Sequence, residues 1–509
     1  MKRCIALLFA LMMLLITMPA FAADYVYEEP VKSTKLPRTT PEEKGISSEY
    51  ILNTIDAFNR EDIEIHSMLI AVGNEVIFEG YYAPYTPEDP HIMFSLTKLF
   101  TNAAVGVAVT DGALSLDDYV VDAFPEYVPE DASENLKKMQ LKHLITMTNG
   151  HGRMISGSEL RPMKTSWLEH LMAEPVVYEP GTYYLYNSGS SVLASGMVQR
   201  ATGMTCHEVL LKTGFAELGI EHFTWDKGPD GINAGHGGVK IPVEDILKIG
   251  VLYQNGGVWN GKQILSEEWC RKAIGFEKIL EDQGTYAFHW TDRENGCYTA
   301  GGSYGQTLLI CPELNLTIAV TAGTNSSIPA VLYNELIAPT LADGESRSYD
   351  GAYAAALARR ASTLSLLTTP ITTASELAEK IDDKVFVADE NADGVKSITL
   401  DITKEYIDYT MVDDRGTHTI RNGVGSWIRT NTSMTSNYTH HQYQYPIEPV
   451  VGNAEWLDDN TLQLTWRWPE LAFVDTVIIK VADDGSTLAM TRSVNVNSGD
   501  LVRPEITFH

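Results

Sequence analysis

The most informative stretch of this sequence is FSLTKLF (Phe94–Phe100), which places a serine and a lysine three residues apart inside an otherwise apolar run. The chain continues as TNAAVGVAVTDG, with apolar or small residues on nearly every face of a helix, and the pattern stops at Asp111-Gly112. It predicts a buried helix. On such a helix, Ser95 and Lys98 share one face.

This serine and lysine together predict a nucleophile and its base. Ser95 would lie in the first helical turn, where unpaired backbone N–H groups and the helix dipole favour negative charge on its oxygen. The amine of Lys98, enclosed by apolar neighbours, would lose hydration, which favours the neutral form that accepts a proton from serine. The alternative is a structural helix with Ser95 as N-cap and Lys98 reaching the surface. Ser95 is the only serine in the chain followed three residues later by lysine.

A second stretch, YEPGTYYLYNSGSSVLASGMVQRATG (residues 178–203), supplies a third candidate group. Tyr186 and Ser188 stand two residues apart, so their side chains point the same way if this segment is extended. A tyrosine hydroxyl near the serine and the lysine could pass the proton to a leaving group. The alternative is a tyrosine-rich strand edge that packs on the core.

The start of the chain predicts export. Residues 1–22 combine a basic start, an apolar run and Ala-Phe-Ala, which is typical of a cleavable signal peptide and predicts a secreted or periplasmic protein. An uncleaved anchor helix is the alternative, although the run is short for a bilayer and no later run is long enough to span one. Residues 24–45 are polar and contain proline, as in an extended arm.

The remaining sequence predicts two folded units, because 509 residues with 44% hydrophobic content exceed what one core usually serves. In residues 46–343, β-rich segments flank a helical middle, which predicts an α+β unit whose sheet gathers the first and last segments. Residues 344–509 begin with a polar linker and a short alanine-rich helix. Alternating segments then predict an antiparallel all-β domain.

The net charge and the spacing of the cysteines limit the classes of macromolecule and metal that we expect this protein to bind. A formal net charge of −29 repels polyanions, which excludes nucleic acid and electrostatic attachment to anionic membranes. No Cys/His spacing suggests zinc, and we predict no metal and no cofactor. Cys297 and Cys311 lie on either side of GGSYG, as residues on neighbouring strands would. One expectation is therefore a disulfide between Cys297 and Cys311. An equally good expectation is that these two cysteines, Cys206 and Cys270 are all buried free thiols. The sequence does not predict an oligomeric state.

In combination, these segments resemble the serine beta-lactamase-related family. This family includes class C beta-lactamases, penicillin-binding DD-peptidases, related esterases and aminohexanoate-dimer hydrolases. The resemblance covers roughly residues 40–340 and follows the family's order. The matching segments are TPEEKGISSEYI, FSLTKLFTNAAVGVAVTDGALSLDDYV, HLITMTNG, PGTYYLYNSG, GGVKIPVEDILKIGVLYQNGGVWNGKQILSEEW and YTAGGSYGQTLLICPELNLTIAV.

The resemblance implies a beta-lactamase-like fold, with an antiparallel sheet flanked by helices and a helical subdomain, followed by a lipocalin-like C-terminal domain. It also implies roles for the candidate residues. Ser95 would be the acylated nucleophile, Lys98 the proton acceptor and Tyr186 the donor to the leaving group. The oxyanion hole would consist of the backbone N–H of Ser95 and that of Gly302 or Ser303.

Two positions depart from the family pattern. Ser188 stands where lactam-recognising members usually have asparagine. The Lys-Thr-Gly strand is replaced by Thr299-Ala300-Gly301 or, one residue along, by Ala300-Gly301-Gly302, so its cation is missing. These changes favour an esterase or amidase acting on small esters, amides or peptides, similar to the aminohexanoate-dimer branch. The alternatives are a beta-lactamase or DD-carboxypeptidase, and a catalytically silent binding protein on the same fold.

Three further motifs receive structural interpretations. Gly301–Gly305 matches G-x-S-x-G, but the following residues predict a strand rather than a helix, which disfavours Ser303 as nucleophile. Asp389–Gly394 resembles the opening of a calcium loop, yet Leu400 occupies its twelfth position and β runs flank it, which favours a hairpin turn. His440-His441 has no carboxylate or cysteine at a metal-site spacing, which predicts exposed loop histidines.

Overall fold

The computed structural model describes residues 34–221, 223–274, 286–292, 295–344, 350–435, 440, 443 and 445–509. The predicted signal peptide lies outside the described residues, as do the first part of the predicted arm, five residues of the linker and His441. Among the described residues, no helix has both the length and the apolar character needed to cross a membrane.

The first folded unit contains an antiparallel sheet that joins both ends of its sequence. The strands of the unit, not all of which belong to this sheet, are β1 (Ile65–Val72), β2 (Glu75–Tyr81), β3 (His91–Ile92), β4 (Thr224–Trp225), β5 (Val239–Ile241), β6 (Val258–Trp259), β7 (Lys262–Gln263), β8 (Tyr286–Ala287), β9 (Trp290–Asp292), β10 (Tyr298–Gly302), β11 (Gln306–Cys311) and β12 (Leu316–Ala322). Within the described residues the main sheet has the order β2-β1-β12-β11-β10-β9-β8. Strand β1 pairs with β12, so the first and last segments of the unit join in one sheet, as predicted.

Helices surround this sheet and form most of the region between β3 and β8. They are α1 (Ser48–Arg60), α2 (Thr97–Thr110), α3 (Val120–Ala123), α4 (Glu134–Lys138), α5 (Leu141–Ile145), α6 (Gly157–Leu160), α7 (Trp167–Ala173), α8 (Ser188–Thr202), α9 (Cys206–Leu210), α10 (Val243–Gln254), α11 (Glu267–Ala273), α12 (Ile328–Leu332) and α13 (Ala338–Asp343). Every residue of α2 from Thr97 to Ala108 is buried, so α2 is the central helix of this core.

Local patterns in the sequence explain several of these elements. The Ser47 hydroxyl accepts a hydrogen bond from the Glu49 N–H and caps α1, whose buried face contains Ile51, Ile55 and Phe58 at helical spacing. The turn at residues 73–74 joins β1 to β2 in an antiparallel hairpin. Helix α2 ends where the sequence predicted. The combination of helices with an antiparallel sheet agrees with the predicted α+β class.

The C-terminal unit is a sheet that nearly closes on itself. It contains α14 (Gly351–Ala361), α15 (Ala378–Ile381), β13 (Val385–Val387), β14 (Ser397–Ile402), β15 (Tyr406–Asp413), β16 (Gly416–Val424), β17 (Ile428–Thr432), β18 (Glu448–Asp458), β19 (Thr461–Arg467), β20 (Val474–Val481), β21 (Leu488–Val494) and β22 (Ile506–Phe508). Among the described residues, the strands follow β13-β14-β15-β16-β18-β19-β20-β21-β22, with β17 on β18. Val387 and His509 exchange two backbone hydrogen bonds of 2.9 Å that bring the two edges together.

Buried and more exposed side chains alternate along the C-terminal strands, which explains why these segments form a sheet with one face on a core. In β15, every second side chain is buried, which is the period of a strand with one face on a core. All pairings are antiparallel except the short contact of β16 with β18. The lipocalin-like character of this unit stays a prediction, as does the domain boundary at residues 343 and 344.

The interpretation of His440 as an exposed loop residue is wrong. Its side chain is fully buried, and its Nε2 lies 2.6 Å from Asp475 Oδ2. Trp468 and Arg492 also donate to Asp475, so the histidine belongs to a buried polar network inside the C-terminal unit.

The loop at residues 389–394 is a hairpin turn between β13 and β14, as predicted. No cluster suited to a metal ion occurs among the described residues.

The four described cysteines are buried free thiols, which was one of the two expectations. Cys311 is the last residue of β11, and Cys297 directly precedes the neighbouring strand β10. They stand one residue beyond the Tyr298–Ile310 pair of β10 and β11 and therefore face each other.

The two units share a core next to α2. Ile92, Phe94 and Tyr304 of the first unit belong to the hydrophobic cluster of the C-terminal unit. The ring of Phe94 packs edge-on against Phe473, with ring centroids 6.2 Å apart. Phe94 also has φ of 44°, a strained backbone conformation for a bulky residue. The C-terminal unit therefore holds the residue that precedes Ser95.

Candidate active site

Ser95 and Lys98 form a hydrogen-bonded pair at the start of α2. Ser95 lies in a 3-10 turn, Phe94–Leu96, that leads directly into the helix rather than in its first α-helical turn. Lys98 Nζ donates to Ser95 Oγ at 3.1 Å and to the His236 carbonyl at 3.1 Å. Ser95 is partly exposed, whereas Lys98 is only 2% exposed. The serine is thus accessible while its lysine partner is enclosed, and the alternative of a lysine that reaches the surface is wrong.

Tyr186 lies beside the same amine. Its ring centroid is 4.9 Å from Lys98 Nζ. The next residue, Asn187, fixes this segment, because its side-chain oxygen accepts from the Gly189 N–H at 2.9 Å and caps α8. The structure therefore brings together three predicted residues that are separated by up to 91 positions in the chain.

Ser188 occupies a different position from the one expected for an extended segment. It is the first residue of α8, is buried, and donates its backbone N–H to the Ile155 carbonyl at 3.0 Å. Among the hydrogen bonds of the described residues, none joins Ser188 to Ser95 or Lys98. The two-residue spacing of Tyr186 and Ser188 therefore does not place them on one face of a strand.

The end of β10 packs directly on the turn that carries Ser95. A Cβ atom added to Gly302 would overlap the Met93 carbonyl oxygen and would lie 3.1 Å from the Leu96 nitrogen. Only glycine fits such a close approach of two backbones. Ser303 follows in a 3-10 turn that leads into β11, so a strand and not a helix comes after the G-x-S-x-G motif, as predicted.

Sequence reasoning missed two histidines at this site. His289 Nδ1 donates to the Lys98 carbonyl at 2.7 Å, and its Nε2 lies 3.3 Å from Ser191 Oγ. Burial lowers the pKa of His289 to about 3, so its ring is neutral. His236 contributes its backbone carbonyl to Lys98. A carbonyl has no side-chain signature, and His289 lies 191 residues from Lys98, so neither contact had a local signal.

The arrangement has the groups that acyl transfer requires. A hydroxyl is hydrogen-bonded to an enclosed amine, a phenol ring lies beside that amine, and a strand end packs on the backbone of the Ser95 turn. A nucleophile within hydrogen-bond reach of a base, next to backbone N–H groups, is the geometry of serine-based covalent catalysis.

Comparisons with known proteins agree with this geometry. A sequence profile described as Beta-lactamase matches residues 55–339. The 6-aminohexanoate-dimer hydrolase of Paenarthrobacter ureafaciens is 24% identical over 282 residues, which cover 50% of this chain and 71% of that protein. A protein of Salmonella agona (strain SL483), provisionally named a D-alanyl-D-alanine carboxypeptidase, is 21% identical over 244 residues. That match covers 42% of this chain and 54% of the relative, so the chain spans about half of that relative's length.

One solved structure supports the fold. A Bacillus anthracis protein, provisionally named a 6-aminohexanoate-dimer hydrolase, aligns with a TM-score of 0.51 and 20% identity. The alignment covers 62% of this chain and 89% of that chain. All six predicted site residues, from Ser95 to Ser303, lie inside the segment that the sequence profile matches.

Proposed function

Because this chain belongs to the beta-lactamase family, we propose that it is an exported serine hydrolase that acts on small esters or amides through an acyl-enzyme at Ser95. The observation that carries the proposal is the 3.1 Å contact from Lys98 Nζ to Ser95 Oγ, with the ring of Tyr186 beside the amine. Two relatives of this chain are named a 6-aminohexanoate-dimer hydrolase and a D-alanyl-D-alanine carboxypeptidase, which also supports a hydrolase.

The chemical steps follow from these positions. Ser95 Oγ attacks the substrate carbonyl and gives its proton to the amine of Lys98. Tyr186 passes a proton to the leaving group as the carbon–heteroatom bond breaks. Water then attacks the acyl-enzyme with the same groups in reverse order. The products are a carboxylic acid and an alcohol or amine.

The oxyanion of each tetrahedral intermediate would accept hydrogen bonds from two backbone N–H groups. One belongs to Ser95 and the other to Gly302 or Ser303. The close packing of Gly302 on the Met93–Leu96 backbone supports this role, because it holds the strand end against the nucleophile's turn. Donors fixed in advance stabilise developing charge without reorganisation.

Small esters and linear amides are the favoured substrates, in line with the name of the Paenarthrobacter relative. Lactam or DD-peptide hydrolysis is the second candidate, in line with the name of the Salmonella relative. The absence of a cation from Thr299-Ala300-Gly301 and the serine at position 188 speak against lactam recognition. Export rests on the signal-like residues 1–22.

A substrate panel with active-site labelling tests the proposal. The panel contains short-chain 4-nitrophenyl esters, a linear amide dimer, a D-amino-acid peptide and a chromogenic cephalosporin. We expect ester or amide turnover and fluorophosphonate labelling, both lost in Ser95→Ala and retained in Ser326→Ala, an exposed serine. Labelling that survives Ser95→Ala and disappears in Ser303→Ala would overturn the proposal. So would the absence of labelling and turnover, which is the behaviour of a binding protein.

A further inference from the structure

A cavity of about 660 Å³ lies where the helical part of the first unit meets the C-terminal unit. Its lining combines charged and aromatic side chains from both units. They include Arg161, Lys164, Asp226, Lys227, His236 and Tyr443. Its volume is in the range of pockets that enclose small organic ligands.

Part of the cavity wall lies next to the turn that carries the proposed nucleophile. His236 and Gly237 line it, and the His236 carbonyl accepts the hydrogen bond from Lys98 Nζ. A Cβ atom added to Gly237 would lie 3.2 Å from the Tyr443 hydroxyl and 3.9 Å from the Phe94 carbonyl. The ring of Tyr443 also packs edge-on against Phe94, with ring centroids 5.8 Å apart. The wall formed by the C-terminal unit is therefore in contact with the residue before Ser95.

The charge of this cavity is opposite to that of the whole protein. The chain has a formal net charge of −29, yet three cationic side chains line the cavity against one carboxylate, Asp226. Burial raises the pKa of Asp226 to about 6, although Lys240 opposes the shift. Tyr445 donates to its Oδ2 at 3.4 Å. A local excess of positive charge in a cleft attracts anions.

Arg161 is the best-positioned of these cations. Its guanidinium lies over the ring of Tyr443, 4.5 Å from the centroid, and donates to Ser158 Oγ at 3.2 Å. Stacking on an aromatic face fixes the plane of a guanidinium, which suits it to bind a carboxylate through parallel N–H groups. Lys164 and Lys227 are exposed and add charge around it.

We infer that this cavity binds a carboxylate on the substrate, with Arg161 as its principal contact, so that the enzyme prefers carboxylate-bearing esters or amides over neutral analogues. The strand at Thr299-Ala300-Gly301 has no cation near the nucleophile's turn, and Arg161 supplies positive charge from another direction. The inference rests on the proposed function and specifies its substrate class.

Matched substrate pairs test this inference in the full-length protein. On the acyl side, 4-nitrophenyl hydrogen glutarate is compared with 4-nitrophenyl pentanoate, which has the same length and no charge. On the leaving-group side, 4-acetoxybenzoate is compared with 4-methylphenyl acetate. Rates with Ser95→Ala are subtracted as the uncatalysed background. We expect at least one pair to favour the anion about tenfold in kcat/KM, because a charge-assisted hydrogen bond discriminates by this order.

The variants identify the contact. Arg161→Gln should reduce the anion-to-neutral ratio about tenfold, and Arg161→Lys should restore part of it. Arg60→Gln, an exposed arginine of α1 paired with Glu335, should leave the ratio unchanged. Thermal unfolding shows whether each variant is folded. If Arg161→Gln does not fold, raising the ionic strength with the wild-type protein must itself reduce the ratio.

The outcomes separate the two proposals. Ser95-dependent turnover without a preference in either pair would overturn the inference and leave the proposed function intact. A preference that Arg161→Gln does not change would also overturn it. Absence of Ser95-dependent turnover on every substrate would overturn the proposed function and the inference together.

Discussion

Two buried lysines in this protein have opposite surroundings. Lys98 is 2% exposed and Lys240 is 5% exposed, so both have lost nearly all contact with water. Lys240 Nζ pairs with Glu448 and with Glu470 at 3.1 Å. Lys98 Nζ contacts a hydroxyl and a carbonyl, and no carboxylate of the described residues pairs with it. The two lysines therefore differ in the charge of their acceptors rather than in burial.

This difference separates a structural lysine from a chemical one. Burial opposes the charge on Lys240, but the two carboxylates outweigh it and raise its pKa, so Lys240 is an ammonium that joins the two units. The acceptors of Lys98 are neutral oxygens, those of a hydroxyl and a carbonyl. An enclosed amine without an anionic partner is suited to exchange a proton with a neighbouring hydroxyl.

The strongest test of this contrast removes Lys98. We expect Lys98→Ala to reduce kcat/KM by about 10³-fold or more, because general-base catalysis contributes up to about 10⁴-fold. Fluorophosphonate labelling of Ser95 should disappear as well. The variant should stay folded, because no buried anion loses its partner. Thermal unfolding measures whether the variant is folded, and fluorophosphonate labelling measures acylation of Ser95 in the same preparation. Normal acylation of Ser95 in this variant would refute the role of Lys98.

The matched test removes Lys240. We expect Lys240→Met to lower the free energy of unfolding by about 3–5 kcal/mol, because Glu448 and Glu470 would stay buried without a counter-ion. Chemical denaturation measures this loss. Adding Glu448→Gln and Glu470→Gln to the lysine variant should recover most of it, because the uncompensated charges are then gone. A Lys240→Met protein as stable as the wild type would show that the contrast between the two lysines is wrong.

A third test compares two adjacent glycines near Lys98. Gly302→Ala should reduce kcat/KM about 10²-fold, because a Cβ atom there overlaps the Met93 carbonyl and displaces the strand end by a fraction of an ångström or more. Gly301→Ala is the control. A Cβ atom at that position has its nearest neighbour, the Gln306 carbonyl oxygen, at 3.8 Å. Equal losses in both variants would mean that the strand end does not position the site.

The predictability of the fold follows from local patterns. The cap at Ser47, the hairpin at residues 73–74 and the alternation in β15 each depend on residues a few positions apart, and the sequence predicts them. The position of α2 follows from its apolar faces in the same way. The start of α8 at Ser188 was not predicted, because the segment that contains Tyr186 and Ser188 was considered as extended chain, whereas Asn187 caps a helix there.

The candidate site was only partly predictable. Ser95 and Lys98 are neighbours on one helix and Tyr186 came with its motif, so the sequence identified them and the structure brings them together. The contacts of His236 and His289 with Lys98 connect residues 138 and 191 positions apart, and no local period encodes such pairs. His440 was misjudged for the same physical reason.

The smallest expected effect is on the pH dependence of the free energy of unfolding, which differs between the Lys98 and Lys240 sites. His289, which donates to the Lys98 carbonyl, has a pKa of about 3 in the folded protein, well below its ordinary value of 6.5, because it is buried. The unfolded chain therefore binds one more proton between these values, and the free energy of unfolding falls as the pH falls from 6.5 towards 3. Each such proton contributes a slope of about 1.4 kcal/mol per pH unit.

The Lys240 site has the opposite sign. Its pKa is raised, so its stabilisation is present at and below its ordinary pKa and is lost as the pH rises through the folded-state value. We expect His289→Asn, which keeps a donor for the Lys98 carbonyl, to flatten the acid limb by about 1.4 kcal/mol per pH unit and to leave the alkaline limb unchanged. Lys240→Met should remove this alkaline sensitivity. Denaturation profiles from pH 4 to pH 11 measure both limbs. If His289→Asn changed the alkaline limb, the two lysine sites would be coupled, and their separation into a proposed catalytic site and a structural site would fail.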